Sequence, residues 1–231
     1  MLYYSISPDL YCYPQIKGFG DTIFISNPRH IFHFLDKYAG VRFTTSPPKW
    51  APHLDYLVLN PRLRKKGPSD VLSEYLGITN GFIISSKFKA LLEGLILSPH
   101  VYYPCRIELD GVFWDYHYLF FYGHLSNYIC FPKSPILIFK WRDSELVGRV
   151  EFDSFESYKS NYLKKKPLDG YYGFEKIVFN AQTPFFDMMS INNGGDTRIL
   201  ISEILREIIL KNKVTNVKID DVREGYIEYI Y

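Results

Sequence analysis

Cysteine is scarce in this sequence, occurring only as Cys12, Cys105 and Cys130. Three is an odd number, the positions lie far apart, and no C-x-x-C pair occurs. That excludes a disulfide scaffold and reads as reduced thiols in a reducing compartment. Also missing is any apolar run near the roughly 20 residues that span a bilayer. The opening Met1-Leu2-Tyr3-Tyr4-Ser5-Ile6 has neither a basic n-region nor a long apolar stretch. The expectation is a cytoplasmic protein with no membrane partner. An excess of one charge is lacking too: 27 Lys and Arg against 25 Asp and Glu leave +2. Without the field that holds a polyanion, nucleic acid is not an expected partner.

Aromatic residues are abundant. With 20 Tyr, 18 Phe and 3 Trp, they make up 18% of the 231 residues. Such side chains favour half-buried pleated surfaces and protein interfaces over helix interiors. The fold class expected is therefore α+β, a largely antiparallel sheet with several short amphipathic helices. A hydrophobic share of 47% with 23% charged is ordinary for a globular chain. We read 1–231 as one domain, with a helical and loop-rich part over 1–80 and a sheet-rich part over 81–231.

Local patterns place the elements. Asn27-Pro28, then Ile31, Phe34, Leu35 and Tyr38, then Gly40, has the cap, stripe and stop of a helix. A shorter helix is expected from Ser69, with Val71, Leu72, Tyr75 and Leu76 inward and Gly77 ending it. Between them, prolines keep the chain extended or turning, with a short strand over 55–59. Ser85 or Ser86 caps a third helix carrying Phe88, Leu91, Leu92 and Leu95, ended by Pro99. From 101 to 152 the pattern is extended. Val101-Tyr102-Tyr103 turns extended, strands are expected at 106–109 and 112–122, joined by an Asp110-Gly111 hairpin turn, and further strands at 128–131, 136–141 and 147–152. Together these form one largely antiparallel main sheet. Ser154 with Phe155, Tyr158 and Tyr162 starts another helix, 175–180 and 185–191 are extended, and 192–196 turns. Ile201-Ser202-Glu203-Ile204-Leu205 into Ile208-Ile209, then Val217-Lys218-Ile219, parallels Ile84-Ser85-Ser86-Lys87-Phe88 into Leu91-Leu92, then Val101-Tyr102-Tyr103, with one residue of slippage.

Few constellations suggest chemistry. His30 and His33 share a helix face but have no third ligand nearby, so no metal is expected. Gly18-Phe19-Gly20-Asp21 follows no clear strand and reads as a turn, not a dinucleotide loop. The basic runs 62–66 and 164–166 read as solvated faces. Nothing calls for a cofactor. The most suggestive stretch is Trp114-Asp115-Tyr116-His117-Tyr118, where alternation puts Asp115 and His117 on one strand face and Trp114, Tyr116, Tyr118 and Phe120 on the other. A carboxylate so placed could orient an imidazole as a general base, yet no nucleophile is recognisable nearby, so no residue is assigned as catalytic.

The segment Gly81-Phe82-Ile83-Ile84-Ser85-Ser86-Lys87-Phe88-Lys89-Ala90-Leu91-Leu92-Glu93, with Tyr103-Pro104 after it, resembles a signature of bacterial immunity proteins from polymorphic toxin systems. In that signature a hydrophobic-Ser-x-x-Leu-Lys helix precedes a strand ending in an aromatic-Pro pair. Phe88 stands where leucine is usual. Phe186-Asp187 leading to Ile201-Ser202-Glu203-Ile204-Leu205 is similar to a second element of the family, so the likeness spans about 50–222. The resemblance implies a non-enzymatic protein that binds and blocks one cognate protein toxin. Asp115 and His117 are the candidate partner-binding residues. The alternative is an enzyme using Asp115 and His117 as an acid–base pair.

Overall fold

The computed structural model describes residues 2–8, 23–25, 57–59, 68–72, 81–109, 111–122, 125–140, 145–164, 170–191 and 198–230. In chain order these hold β1 (Tyr3–Pro8), β2 (Ile23–Ile25), β3 (Leu57–Leu59), β4 (Val71–Leu72), β5 (Gly81–Ser85), α1 (Ser86–Leu92), β6 (His100–Leu109) and β7 (Val112–Phe121). Then come β8 (Ile136–Lys140), β9 (Leu146–Val150), α2 (Phe155–Lys164), β10 (Gly170–Phe174), β11 (Ile177–Phe179) and β12 (Met188–Ser190). The last are β13 (Ile199–Ser202), α3 (Glu203–Lys211), β14 (Val217–Asp221) and β15 (Ile227–Tyr229). The architecture is α+β and mostly sheet, as the aromatic content foretells.

The sheets have the strand orders β2-β3-β6-β7-β5-β4, β12-β13-β1-β14, β10-β8-β9 and β11-β15. Pairing is antiparallel except at β3 with β6 and β11 with β15. The β6–β7 hairpin turns where expected, with Gly111 at φ +77°, a conformation glycine adopts without Cβ strain. However, the extended stretch over 101–152 is divided. Its first two strands lie in the six-stranded sheet, whereas β8 and β9 pair with β10 in another.

The weak sequence repeat is a structural one. Ser85 and Ser202 cap α1 and α3, their Oγ atoms accepting the N–H of Phe88 at 3.1 Å and of Leu205 at 3.2 Å. Each hydroxyl donates to an aspartate 15 residues earlier, Ser85 to Asp70 Oδ1 and Ser202 to Asp187 Oδ1, both at 2.9 Å. Each serine N–H also donates to that aspartate's carbonyl, at 2.8 and 2.9 Å. The spacing between the units is a constant 117 residues (202 minus 85, 187 minus 70). It carries β4, β5 and β6 onto β12, β13 and β14, and no slippage is needed, since His100 falls on Val217. The strand orders β4-β5-β7-β6 and β12-β13-β1-β14 coincide, so β1 stands where β7 stands in the first unit. Register agrees: Tyr116 faces Ser85 and Tyr3 faces Ser202. Tyr116 Oη donates to the Ser69 carbonyl at 2.6 Å, and Tyr3 Oη to the Phe186 carbonyl at 3.1 Å, 69 and 186 being again equivalent.

The two units interlock reciprocally, as the halves of a symmetric dimer do. Asp70 Oδ2 accepts the N–H of Thr215, just beyond α3, at 3.0 Å, and Asp187 Oδ2 accepts the N–H of Ile96, just beyond α1, at 3.0 Å. Both helices bury into one core where equivalent residues meet, among them Phe88 with Leu205 and Leu92 with Ile209. A second core, rich in Phe and Tyr, lies between β1, β12 and β13 and the strands from β8 onward with α2.

Several expectations are corrected. The helix expected from Ser69 gives way at Val71 and Leu72, which form β4 opposite Ile84 and Ile83; both are buried, and cross-strand pairing overrides the local pattern. Most of the part expected to be helical and loop-rich, 1–80, lies outside the described residues. Tyr128–Phe131 is no strand: short 3-10 turns at Leu125–Asn127 and Phe131–Lys133 flank a single bridge at Ile129, and Pro132 withholds a ladder donor. On α1, Phe88 and Leu92 are buried but Leu91 only half so, and Leu95 lies past the helix end at Gly94, where φ is +85°. Ile208 is likewise half-buried. The expected helix over 27–40 and turn over 192–196 lie outside the described residues.

Candidate functional site

Asp115 and His117 stand on β7, on the face that α1 covers further along, where Leu119 and Phe121 are buried. On the opposite face Tyr116, Tyr118 and Phe120 are core, as alternation requires, but Trp114 is 42% exposed. The reason is pairing length. β5 pairs with β7 only as far as Tyr116, so beyond it, among the described residues, β7 has β6 as its one partner while β3 lies on the far side of β6. Val112 and Phe113 in that extension are 53% and 58% exposed. Three consecutive large apolar side chains thus face solvent beside charge: Arg106 is paired opposite Asp115, and its guanidinium carbon lies 5.7 Å from the Phe113 ring centroid.

His117 sits at the foot of α1. Its Nε2 is 3.4 Å from Ser86 Oγ, and that hydroxyl donates to the Asp115 carbonyl, also at 3.4 Å. Both contacts are long for hydrogen bonds and correspondingly weak. The Asp115 carboxylate makes no hydrogen bond to the ring and acts on it only through space. Burial holds the imidazole below its usual pKa, the Lys89 ammonium adds to this, and Asp115 opposes both. Tyr102 packs edge-on to His117, with centroids 6.4 Å apart. Burial, then the Glu93 carboxylate, push its hydroxyl up to about 12. Sequence reasoning paired Asp115 with His117 but missed Ser86, which only the β5–β7 register brings alongside.

Asp70 is a firmly held carboxylate. Burial alone would raise its pKa, yet hydrogen bonds from Thr215, Lys87 and Ser85, with the Lys87 charge, outweigh burial and hold it below the usual carboxylate range. That aspartate fastens α1 to the other unit.

Among the described residues no three His, Cys, Asp or Glu side chains gather as a metal site, and no helix is long and apolar enough to cross a membrane. Cys105 is a buried thiol and Cys130 a half-buried one. Cys12, His30, His33, the 18–21 turn, the 62–66 basic run and Lys165 and Lys166 lie outside the described residues. No protein-family model matches the chain, and no curated protein matches it.

Proposed function

We propose that the protein is a non-enzymatic immunity protein that binds one cognate protein toxin of a polymorphic toxin system and blocks it. The observation that carries this reading is the open end of the β6–β7 hairpin, where Val112, Phe113 and Trp114 lie in solvent next to Arg106 and Asp115. Protein interfaces take most of their energy from a few aromatic and arginine anchors of this kind, ringed by polar groups. The likeness of 81–104 and 186–205 to immunity proteins supplies the class of partner. The test is co-expression with the toxic product of the adjacent gene, scored by cell survival and by recovery of a stoichiometric complex. Trp114→Ala or Phe113→Ala then weakens the complex about tenfold or more, with Asp115→Ala and His117→Ala as further probes. Absence of any complex, with no gain in survival, sinks the reading.

A second reading, an enzyme using Asp115 and His117, is favoured by the Ser86 hydroxyl at 3.4 Å from His117 Nε2. It predicts labelling of Ser86 by a fluorophosphonate, lost in His117→Ala. An unlabelled Ser86 excludes that serine route.

A further inference from the structure

The two Ser–Asp clasps differ in one respect. Asp70 accepts four hydrogen bonds: from Ser85 Oγ at 2.9 Å, from the N–H and the hydroxyl of Thr215 at 3.0 and 3.1 Å, and from the Lys87 ammonium at 3.0 Å. A carboxylate has about four acceptor positions, so Asp70 is saturated and its charge is matched. Asp187 accepts two, from Ser202 Oγ at 2.9 Å and from the Ile96 N–H at 3.0 Å. The spacing of 117 sets Ile204 where the first unit has Lys87. No Lys, Arg or His among the described residues forms an ion pair with Asp187. This half-buried carboxylate thus keeps two open acceptor positions and no counter-charge.

Its borders are apolar and exposed. Ile204 lies in the first turn of α3, just past the Ser202 that Asp187 holds. Ile96 is bonded to Asp187 through both its N–H and its carbonyl. Phe185, two residues before Asp187, rests on the Tyr229 ring with centroids 4.6 Å apart. Apolar side chains around an unmatched carboxylate suit one kind of ligand, a cationic head on an aliphatic stem.

We propose that Asp187, framed by Ile96, Phe185 and Ile204, receives a lysine side chain from a protein partner, its ammonium placed as Lys87 is on Asp70. An ion pair open to water contributes little. Once a partner covers the three apolar side chains, water is excluded from the pair and the attraction strengthens. That this partner is the neutralised toxin rests on the function proposed above. The preference for lysine does not.

The experiment uses the full chain with labelled Ile methyl groups, titrated with acetyl-Leu-Lys-Leu amide and, separately, acetyl-Leu-Gln-Leu amide. The expected result is saturable shifts at Ile96 and Ile204, with the glutamine peptide binding several-fold more weakly and the difference shrinking at high salt. Ile204→Lys, which rebuilds the first unit's arrangement, abolishes the response read at Ile96. Asp187→Asn makes the two peptides equal; should that variant fail to fold, Ile204→Lys, at an exposed position, decides. Shifts that are absent, equal for both peptides, unchanged in Ile204→Lys, or dependent on protein concentration alone (a second copy on the surface) overturn the proposal. A surface that binds the lysine peptide while no toxin binds the chain removes only the toxin reading. A toxin complex unaffected by Ile204→Lys, with no peptide response, removes only the lysine site.

Discussion

The paired Ser–Asp clasps give a stability argument that can be worked from distances. Ser202→Ala removes the acceptor of the buried Leu205 N–H and the donor to Asp187. Losing a cap costs about 1 kcal/mol and a hydrogen bond to a charged group about 1.5–3 kcal/mol. A total of about 2.5–4 kcal/mol follows. Asp187→Ala removes the same Ser202 bond and the acceptor of the Ile96 N–H, which is more exposed, so about 1–3 kcal/mol is expected. Because one bond is shared, the double variant should fall short of the sum by the worth of that bond, roughly 1.5–3 kcal/mol. Ser85→Ala with Asp187→Ala is the control, since the two belong to different clasps and share no partner. That pair should be additive within about 0.5 kcal/mol. Urea unfolding with an unchanged slope measures all of these. Coupling near zero for Ser202 with Asp187, or equal coupling in the control, would show that the clasp is not an energetic unit.

Leu92→Ala, at a position only 3% exposed, should cost about 2–5 kcal/mol in denaturant unfolding, whereas half-buried Leu91→Ala should cost clearly less. In Gly81→Ala the new Cβ meets the Leu119 carbonyl of the paired strand, so thermal unfolding should drop by several degrees; an unchanged midpoint would contradict the close β5–β7 approach. The folded-state pKa of Asp70 is depressed, so its stabilisation is full above the ordinary carboxylate pKa and fades as pH falls through the lower folded value. Asp70→Asn should flatten that acid limb in urea titrations between about pH 5 and 2. The pKa of His117 is also depressed, so the unfolded chain binds the extra proton. Stability then rises with pH up to about 6.5, and His117→Gln should remove that slope.

The sequence displayed its short-range physics well. The serine caps, the Gly111 turn, the onset of α2 after Ser154 and the strand at Ile136–Lys140 all follow from patterns a few residues long. What it concealed was pairing at a distance. Val71 and Leu72 look helical until Ile83 and Ile84 are set opposite them, and the split of 101–152 between two sheets depends on partners as far away as Gly170. Asp70 fell at the start of the helix expected from Ser69 with nothing local to single it out, because its value lies in Thr215, 145 residues on. The site was half legible: alternation placed Asp115 and His117 on one face, but the exposure of Trp114 follows from where β5 stops pairing, which no local pattern records.

The repeat also separates what belongs to the scaffold from what belongs to this chain's task. Positions with the same chemistry in both units, such as Ser85 with Ser202, Asp70 with Asp187 and Tyr116 with Tyr3, form the caps and clasps that any such unit needs to fold. The segment that resembles immunity proteins is made largely of these positions, so a likeness there speaks first of architecture. A specific partner must be read from the places where the two units differ. The first unit extends a hairpin that ends in Val112, Phe113 and Trp114, whereas the second has β1 in the place of β7. The first unit sets the Tyr102 ring by Lys89 and beside His117, whereas the second has Ile219 at that place and sets the Tyr4 ring by Arg206. If binding depends on these departures, Trp114→Ala and Phe113→Ala should impair partner capture while leaving the unfolding free energy within about 0.5 kcal/mol of the parent. Ser85→Ala should do the reverse, lowering stability while the folded fraction keeps its affinity. A Ser85→Ala protein that is fully folded yet no longer binds would place the recognition surface on the shared scaffold after all.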